Sequence, residues 1–143
     1  MISVKKNYEQ VPSGLRTEGA QRKREAALRE GNLHKFSSDY YAHDSVKERL
    51  REIYRDKCAY CECKTSEGAP LQMEHYRPKK NLADDKGHPG YYWIGYEWSN
   101  LLLSCAKCNR AKSNQFPIEG VRVKSPQADR AEWRADSESF KAE

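Results

Sequence analysis

Cys58-Ala59-Tyr60-Cys61 opens, and Cys105-Ala106-Lys107-Cys108-Asn109-Arg110-Ala111-Lys112 closes, the stretch on which the reading of this chain turns. Between them lies Met73-Glu74-His75-Tyr76-Arg77-Pro78-Lys79. Two C-x-x-C pairs, Cys58/Cys61 and Cys105/Cys108, fit a tetrahedral Zn²⁺ site of four thiolates, each pair forming a tight knuckle whose backbone N–H groups face the sulfurs. The gap from Glu62 to Ser104 exceeds that of a simple zinc ribbon, so the insert is expected to be a folded unit held across its base. A redox dithiol and a free-thiol core are the competing readings, but redox C-x-x-C motifs usually come singly, near a βαβ pattern. Cys63, two residues past Cys61, is either a competing ligand or a bystander.

Working outward, the 143 residues allow one domain with appendages. Charged residues make up 33% and hydrophobic ones 37%, so a metal staple would support a lean core. The net charge of +5 permits a polyanionic partner without proving one. No apolar run approaches the ~18 residues of a membrane span. Met1-Ile2-Ser3-Val4-Lys5-Lys6 contains no apolar segment of signal-peptide length. The expected compartment is the cytoplasm, where thiols stay reduced and paired C-x-x-C motifs read as metal ligands.

Residues 1–14, punctuated by Pro12 and Gly14, read as an N-terminal arm. Residues 15–57 read as a helical flank, with one helix from Leu15 to Glu30 stopped by Gly31. Arg22, Lys23, Arg24 and Arg29 make that helix basic, which more often marks a solvated face than a DNA contact. A second helix is announced by Ser45-Val46-Lys47-Glu48, in the form of a capping box, and by Val46, Leu50, Ile53 and Tyr54 at helical spacing. Residues 58–117 form the proposed core. There Leu71, Met73 and His75 alternate with Gln72 and Glu74, the period of a strand, which puts Glu74 and His75 on opposite sides of its end. Polar residues from Arg77 to Pro89 read as a surface loop, and the aromatic block from Tyr91 to Trp98 as core rather than a base-stacking platform. A short helix is expected from Asn109 to Gln115. Residues 118–143 form a polar tail with Trp133 and Phe140 as its large apolar anchors.

The insert also carries the chemistry that a phosphodiester requires: a general base near neutrality, a cation on the phosphate, and a water to attack. His75 is the natural base. Glu74 and Asn109 offer oxygens to a hard ion such as Mg²⁺ or Mn²⁺. Singly these are weak signals, since ordinary Glu–His pairs look the same in a sequence. Bracketed by the knuckles, they are specific.

With these residues in view, Cys58-x-x-Cys61, Glu74-His75-x-x-Pro78, Asn100-Leu101-Leu102 and Cys105-x-x-Cys108-Asn109-x-x-Lys112 together resemble the HNH endonuclease family over about residues 55 to 117. The resemblance implies an α+β fold: a small zinc-stapled ββα-metal (HNH) core with flanking α-helices. It implies that Glu74 and Asn109 bind the catalytic metal, that His75 is the general base, and that Asn100 positions it. Glu74 stands where Asp is frequent and Asn109 where a second His often stands. Losing one imidazole favours Mg²⁺ or Mn²⁺ over zinc at the catalytic site. A narrower similarity, from Tyr92 to Cys105 and on to Phe116-Pro117, is to HNH proteins that accompany an ABC- or SMC-like ATPase in bacterial anti-phage systems such as Septu and certain retrons. The implied target is DNA, with RNA not excluded. Arg77, Lys79, Lys80, Arg110 and Lys112 are candidate phosphate contacts, which position a nucleic acid without reading its sequence. The rival reading is a non-catalytic zinc module that binds nucleic acid or a protein, which would need the four cysteines but none of Glu74, His75, Asn100 and Asn109.

Overall fold

The structure is a computed structural model that describes residues 1–66, 68–134, 137–141 and 143. Five helices flank a two-stranded antiparallel sheet, and the class is α+β. None of the helices among the described residues is long and apolar enough to cross a membrane.

The helical flank begins with α1 (Glu18–Glu30), whose first turn is capped by the Thr17 hydroxyl accepting from Ala20 N. Gly31, at φ 62°, ends it, as the sequence suggests. Only Ala20 and Ala27 of α1 are buried, so the helix packs closely on one thin stripe. A short α2 (Ser38–Tyr41) follows, started by the Ser37 hydroxyl accepting from Asp39 N, a cap signal with no apolar periodicity behind it. In α3 (Asp44–Tyr54), Val46, Leu50 and Tyr54 face the core. The capping box anticipated at Ser45 does not form. His43 is the N-cap, accepting from Ser45 N through Nδ1, while Ser45 Oγ accepts from Gly14 N at 3.0 Å and ties the arm to the helix.

β1 (Gln72–His75) pairs with β2 (Leu101–Ser104), with Glu74 opposite Leu102 and His75 opposite Leu101. α4 (Ala106–Lys112) then starts directly from the second knuckle. It begins three residues before the expected helix, because Cys105 itself is its N-cap, and Asn109 therefore sits mid-helix. A two-stranded sheet this short is marginal alone. It survives between two apolar clusters. One gathers Leu15, Val46, Leu50, Tyr54, Trp98 and β2. The other gathers Leu82, Tyr91, Trp93, Ile94 and Phe116 with Trp133 and, from α5 (Glu138–Lys141), Phe140. The aromatic block is core, and the two aromatic anchors of the tail close the second cluster.

The arm lies along the body. Ile2 N donates to Ala59 O at 2.8 Å, and Ile2, Val4 and Tyr8 pack against the first cluster. Lys6 Nζ donates to the carbonyls of Trp98 and Leu101 on either side of Asn100. The connection from residue 77 to 89 is less superficial than its polarity suggests: Arg77, Leu82 and His88 are buried. It returns through Gly90, at φ +85°, where an added Cβ would stand 2.4 Å from the Lys80 backbone. Gly90→Ala therefore combines a disfavoured dihedral with a backbone clash and is expected to cost roughly 3 kcal/mol or more, read as a lower denaturant midpoint.

Candidate active site

Two side-chain clusters stand out beside the sheet, of which the four cysteines could hold a metal ion. In the first, Cys58, Cys61, Cys105 and Cys108 bring their sulfurs within 4.8 Å of one another, and Cys61 Sγ lies 3.8 Å from Cys105 Sγ. A tetrahedron with Zn–S bonds of about 2.3 Å has edges of about 3.8 Å, so the Cys61–Cys105 pair already has the spacing of zinc ligands and the others need move by no more than about 1 Å. The knuckles prepare the charge: the Cys63 N–H lowers the pKa of Cys61, and the Cys108 N–H, 3.5 Å from Cys105 Sγ, that of Cys105. Glu62 takes a left-handed φ of 65° to turn the first knuckle. Cys63 stands outside the four, its sulfur 3.2 Å from that of Cys61, which pushes its thiol up to about 11.

The second cluster lines a cleft of about 360 Å³ at the end of β1, walled by Tyr41, Glu74, His75, Lys79, Asn109 and Lys112 among others. Strand period would separate Glu74 from His75, but both are buried and both reach this cleft. Both lie within β1 and in register with β2, so the cleft wraps the end of the strand and is lined by both residues. A larger cleft of about 710 Å³ runs beneath the N-terminal arm and holds none of these groups.

His75 is 6% exposed. Its Nε2 donates to the carbonyl of Gly95 at 2.9 Å; a carbonyl only accepts, so the neutral ring carries its proton on Nε2 and presents a lone pair at Nδ1. The ring stands edge-on to Tyr41, with centroids 4.9 Å apart. Lys79 Nζ is 3.3 Å from Nδ1. Burial first, and this ammonium second, push the imidazole pKa down to about 3. Glu74 Oε1 accepts from Lys112 Nζ at 2.7 Å, and the same ammonium donates to His75 O at 3.0 Å. Burial raises the Glu74 carboxyl, opposed by Lys112.

Asn109 reaches the cleft from α4 and gives its amide N–H to Gln72 Oε1 at 2.9 Å. Its amide oxygen accepts no hydrogen bond among the described residues. Asn100 is fully buried but does not bond to His75. Its Oδ1 accepts from Arg77 N, and its Nδ2 donates to the carbonyls of Arg77 and Ile94. It thereby ties Arg77 to Ile94, the residue before the Gly95 whose carbonyl accepts from His75.

Of the five candidate phosphate contacts, Lys79, Lys80 and Lys112 line the cleft and Arg110 is exposed on α4 beside it. Arg77 is a correction. It is 4% exposed, pairs with Glu143 at 2.7 Å, and lies over the Phe140 ring at 4.1 Å. Its charge is spent inside the second cluster, where no phosphate reaches it. Gly95 and Tyr41 were absent from the sequence reading. A carbonyl acceptor has no sequence signature, and Tyr41 belongs to a helix without apolar periodicity.

Residues 58–115 match the model of the family described as HNH endonuclease. The chain is 43% identical over 99 residues to the Septu protein PtuB of Bacillus mycoides, an alignment covering 64% of this chain and 34% of that protein. It is 34% identical over 93 residues to the Septu protein PtuA of the same organism, covering 62% of this chain and 13% of that one. A PtuB of Bacillus thuringiensis is 33% identical over 86 residues, covering 57% and 30%. The chain thus spans about a third or less of the length of these relatives. Among solved structures, the Type II-C Cas9 enzyme from Actinomyces naeslundii superposes with a TM-score of 0.38 at 23% identity, over 69% of this chain and 9% of that one.

Proposed function

From the match of residues 58–115 to the HNH endonuclease family model, we propose that the chain is a metal-dependent endonuclease that hydrolyses DNA phosphodiester bonds. The observation that carries this reading is the fixed tautomer of His75: the Gly95 carbonyl accepts from Nε2–H, so the basic Nδ1 belongs to a cleft that also contains Glu74 and Asn109. His75 then takes a proton from the attacking water at Nδ1. Asn100 holds the 77–94 connection closed and with it the carbonyl that orients the ring. Lys79, Lys80 and Lys112 hold phosphate oxygens, with Arg110 at the margin.

The donor set fits a hard cation. One buried carboxylate and one amide oxygen whose N–H is already engaged are oxygen ligands suited to Mg²⁺ or Mn²⁺, ions that retain several waters. Such an ion, when bound, supplies Lewis acidity to the phosphoryl oxygens and stabilises the leaving 3′ oxygen. At the other cluster, Zn²⁺ on Cys58, Cys61, Cys105 and Cys108 is structural, because four protein ligands leave no open position. The relatives named as Septu proteins support a role in anti-phage defence, with an ABC- or SMC-like ATPase as partner and regulator.

Cleavage of supercoiled plasmid by zinc-loaded protein tests the proposal. Nicking is expected with Mg²⁺ or Mn²⁺ and not with EDTA, and Glu74→Gln is expected to lower it at least a hundredfold. A folded wild-type protein that fails to cut with either ion, alone and with the ATPase added, would leave the non-catalytic zinc module as the better account.

A further inference from the structure

Both reactive atoms of the cleft are covered by a lysine. Lys112 Nζ stands 2.7 Å from Glu74 Oε1, and Lys79 Nζ stands 3.3 Å from His75 Nδ1. Neither contact is incidental in place. Lys112 is anchored a second time, on His75 O at 3.0 Å, so its ammonium bridges two consecutive residues at the end of β1. Lys79 sits 5.0 Å over the Tyr41 ring and 5.8 Å over the Phe36 ring, an aromatic seat that holds the ammonium beside the imidazole. A carboxylate as buried as Glu74 needs a countercharge, and Lys112 provides it. The same arrangement engages one of the two carboxylate oxygens of Glu74 and the imidazole lone pair of His75.

We propose that Lys112 and Lys79 mask Glu74 and His75 in the resting protein, and that the phosphate backbone of a nucleic acid unmasks both by drawing the two ammonium groups onto its own oxygens. This rests on the reading of Glu74 as a metal ligand and of His75 as the base. Phosphate is the chemistry able to do it, since it offers each lysine a charged acceptor in the same cleft and adds no competitor for the metal position. The resting site then has a low affinity for divalent ions, because the Lys112 ammonium occupies one of the two carboxylate oxygens of Glu74 and repels a second cation beside it. Nucleic acid and metal bind cooperatively, each favouring the state in which Lys112 has left Glu74, and the coupling is reciprocal. Part of any such cooperativity comes from an ion bridging Glu74 and phosphate directly, so the share due to masking is the share that depends on Lys112.

The test is Mn²⁺ affinity of the full, zinc-loaded chain, read by electron paramagnetic resonance of free Mn²⁺ without nucleic acid. Lys112→Met is expected to bind Mn²⁺ roughly tenfold more tightly than wild type, the scale of one charge-assisted hydrogen bond. Lys112→Arg, which keeps the charge and pairs in fork geometry, is expected to bind it no more tightly than wild type, and serves if the Met variant does not fold. Glu74→Gln is expected to remove the site in every background. In a His75→Ala background that does not turn over, anisotropy of a labelled 12-base-pair duplex is expected to show a smaller Mn²⁺-induced gain in affinity with Lys112→Met than with Lys112. If Lys112→Met binds Mn²⁺ equally or less tightly while Glu74→Gln abolishes binding, the masking is wrong and the metal site stands. If Glu74→Gln leaves Mn²⁺ binding unchanged, the metal site itself is wrong and the masking falls with it.

Discussion

His75→Ala is expected to reduce metal-dependent nicking by about 10²–10⁴-fold, the usual contribution of a positioned general base, with zinc content and cooperative unfolding retained. The chemistry is lost because no other imidazole lines the cleft. Glu74 is committed to a cation, and Lys79, Lys80 and Lys112 are donors. The fold is retained because the His75 ring contributes only its hydrogen bonds with Gly95 O and Lys79 Nζ and one ring contact, to Tyr41. The pH dependence distinguishes this from a structural histidine. With its pKa depressed from 6.5 to about 3, folded His75 stays neutral where an unfolded one takes a proton. The unfolded state therefore binds more protons between about pH 6.5 and 3, and the stability His75 contributes is present above pH 6.5 and lost as the pH falls through that window. His75→Ala is expected to flatten that slope in denaturation midpoints measured from pH 7 to pH 4. In the wild type, activity is expected to hold as pH falls from 7 to 6, since the base is not titrating there. A steep acid loss centred on 6.5 would show a solvated imidazole with an ordinary pKa, and would sink the buried-base assignment.

Removing the structural metal is expected to unfold the core outright. The sheet has two strands of four residues and α4 has seven residues, all below the length at which such elements stand alone. The four thiolates join the end of the α3 connection, through Cys58, to the β2–α4 junction, through Cys105. Zinc-thiolate sites of this kind contribute apparent free energies of about 10–16 kcal/mol at neutral pH, comparable with the whole stability of a domain of this size. Excess chelator, or Cys58→Ser, is expected to abolish the cooperative thermal transition and the near-ultraviolet signal of the buried Trp93 and Trp98. Nicking is expected to disappear with them, even with Mg²⁺ present. A chelated protein that kept its transition would mean that the two aromatic clusters alone hold the fold, leaving the four cysteines no structural task.

Much of this protein is determined locally and so can be read from its sequence. Two C-x-x-C pairs bring four sulfurs to tetrahedral spacing because each knuckle is a short-range object and only one closure joins them. The periodicity of Val46, Leu50 and Tyr54 places α3 against the core, and Gly31 ends α1, for equally local reasons. The aromatic residues from Tyr91 to Trp98 bury themselves because nothing else in a lean composition supplies comparable apolar area. Long-range partners decided the rest. The cap of α3 passed from Ser45 to His43 because Ser45 was taken by Gly14 of the arm. Glu74 and His75 line one cleft because Lys79 and, from farther along the chain, Tyr41 and α4 close around the end of β1. Arg77 went inside because Glu143, 66 residues away, met its charge in an aromatic pocket. The most consequential contacts, Gly95 with His75 and Lys112 with Glu74, join residues 20 and 38 positions apart, one of them through a backbone carbonyl that no side-chain pattern encodes. The residue types named the chemistry, and only the tertiary closure set which atoms are exposed to substrate and which are held by a lysine.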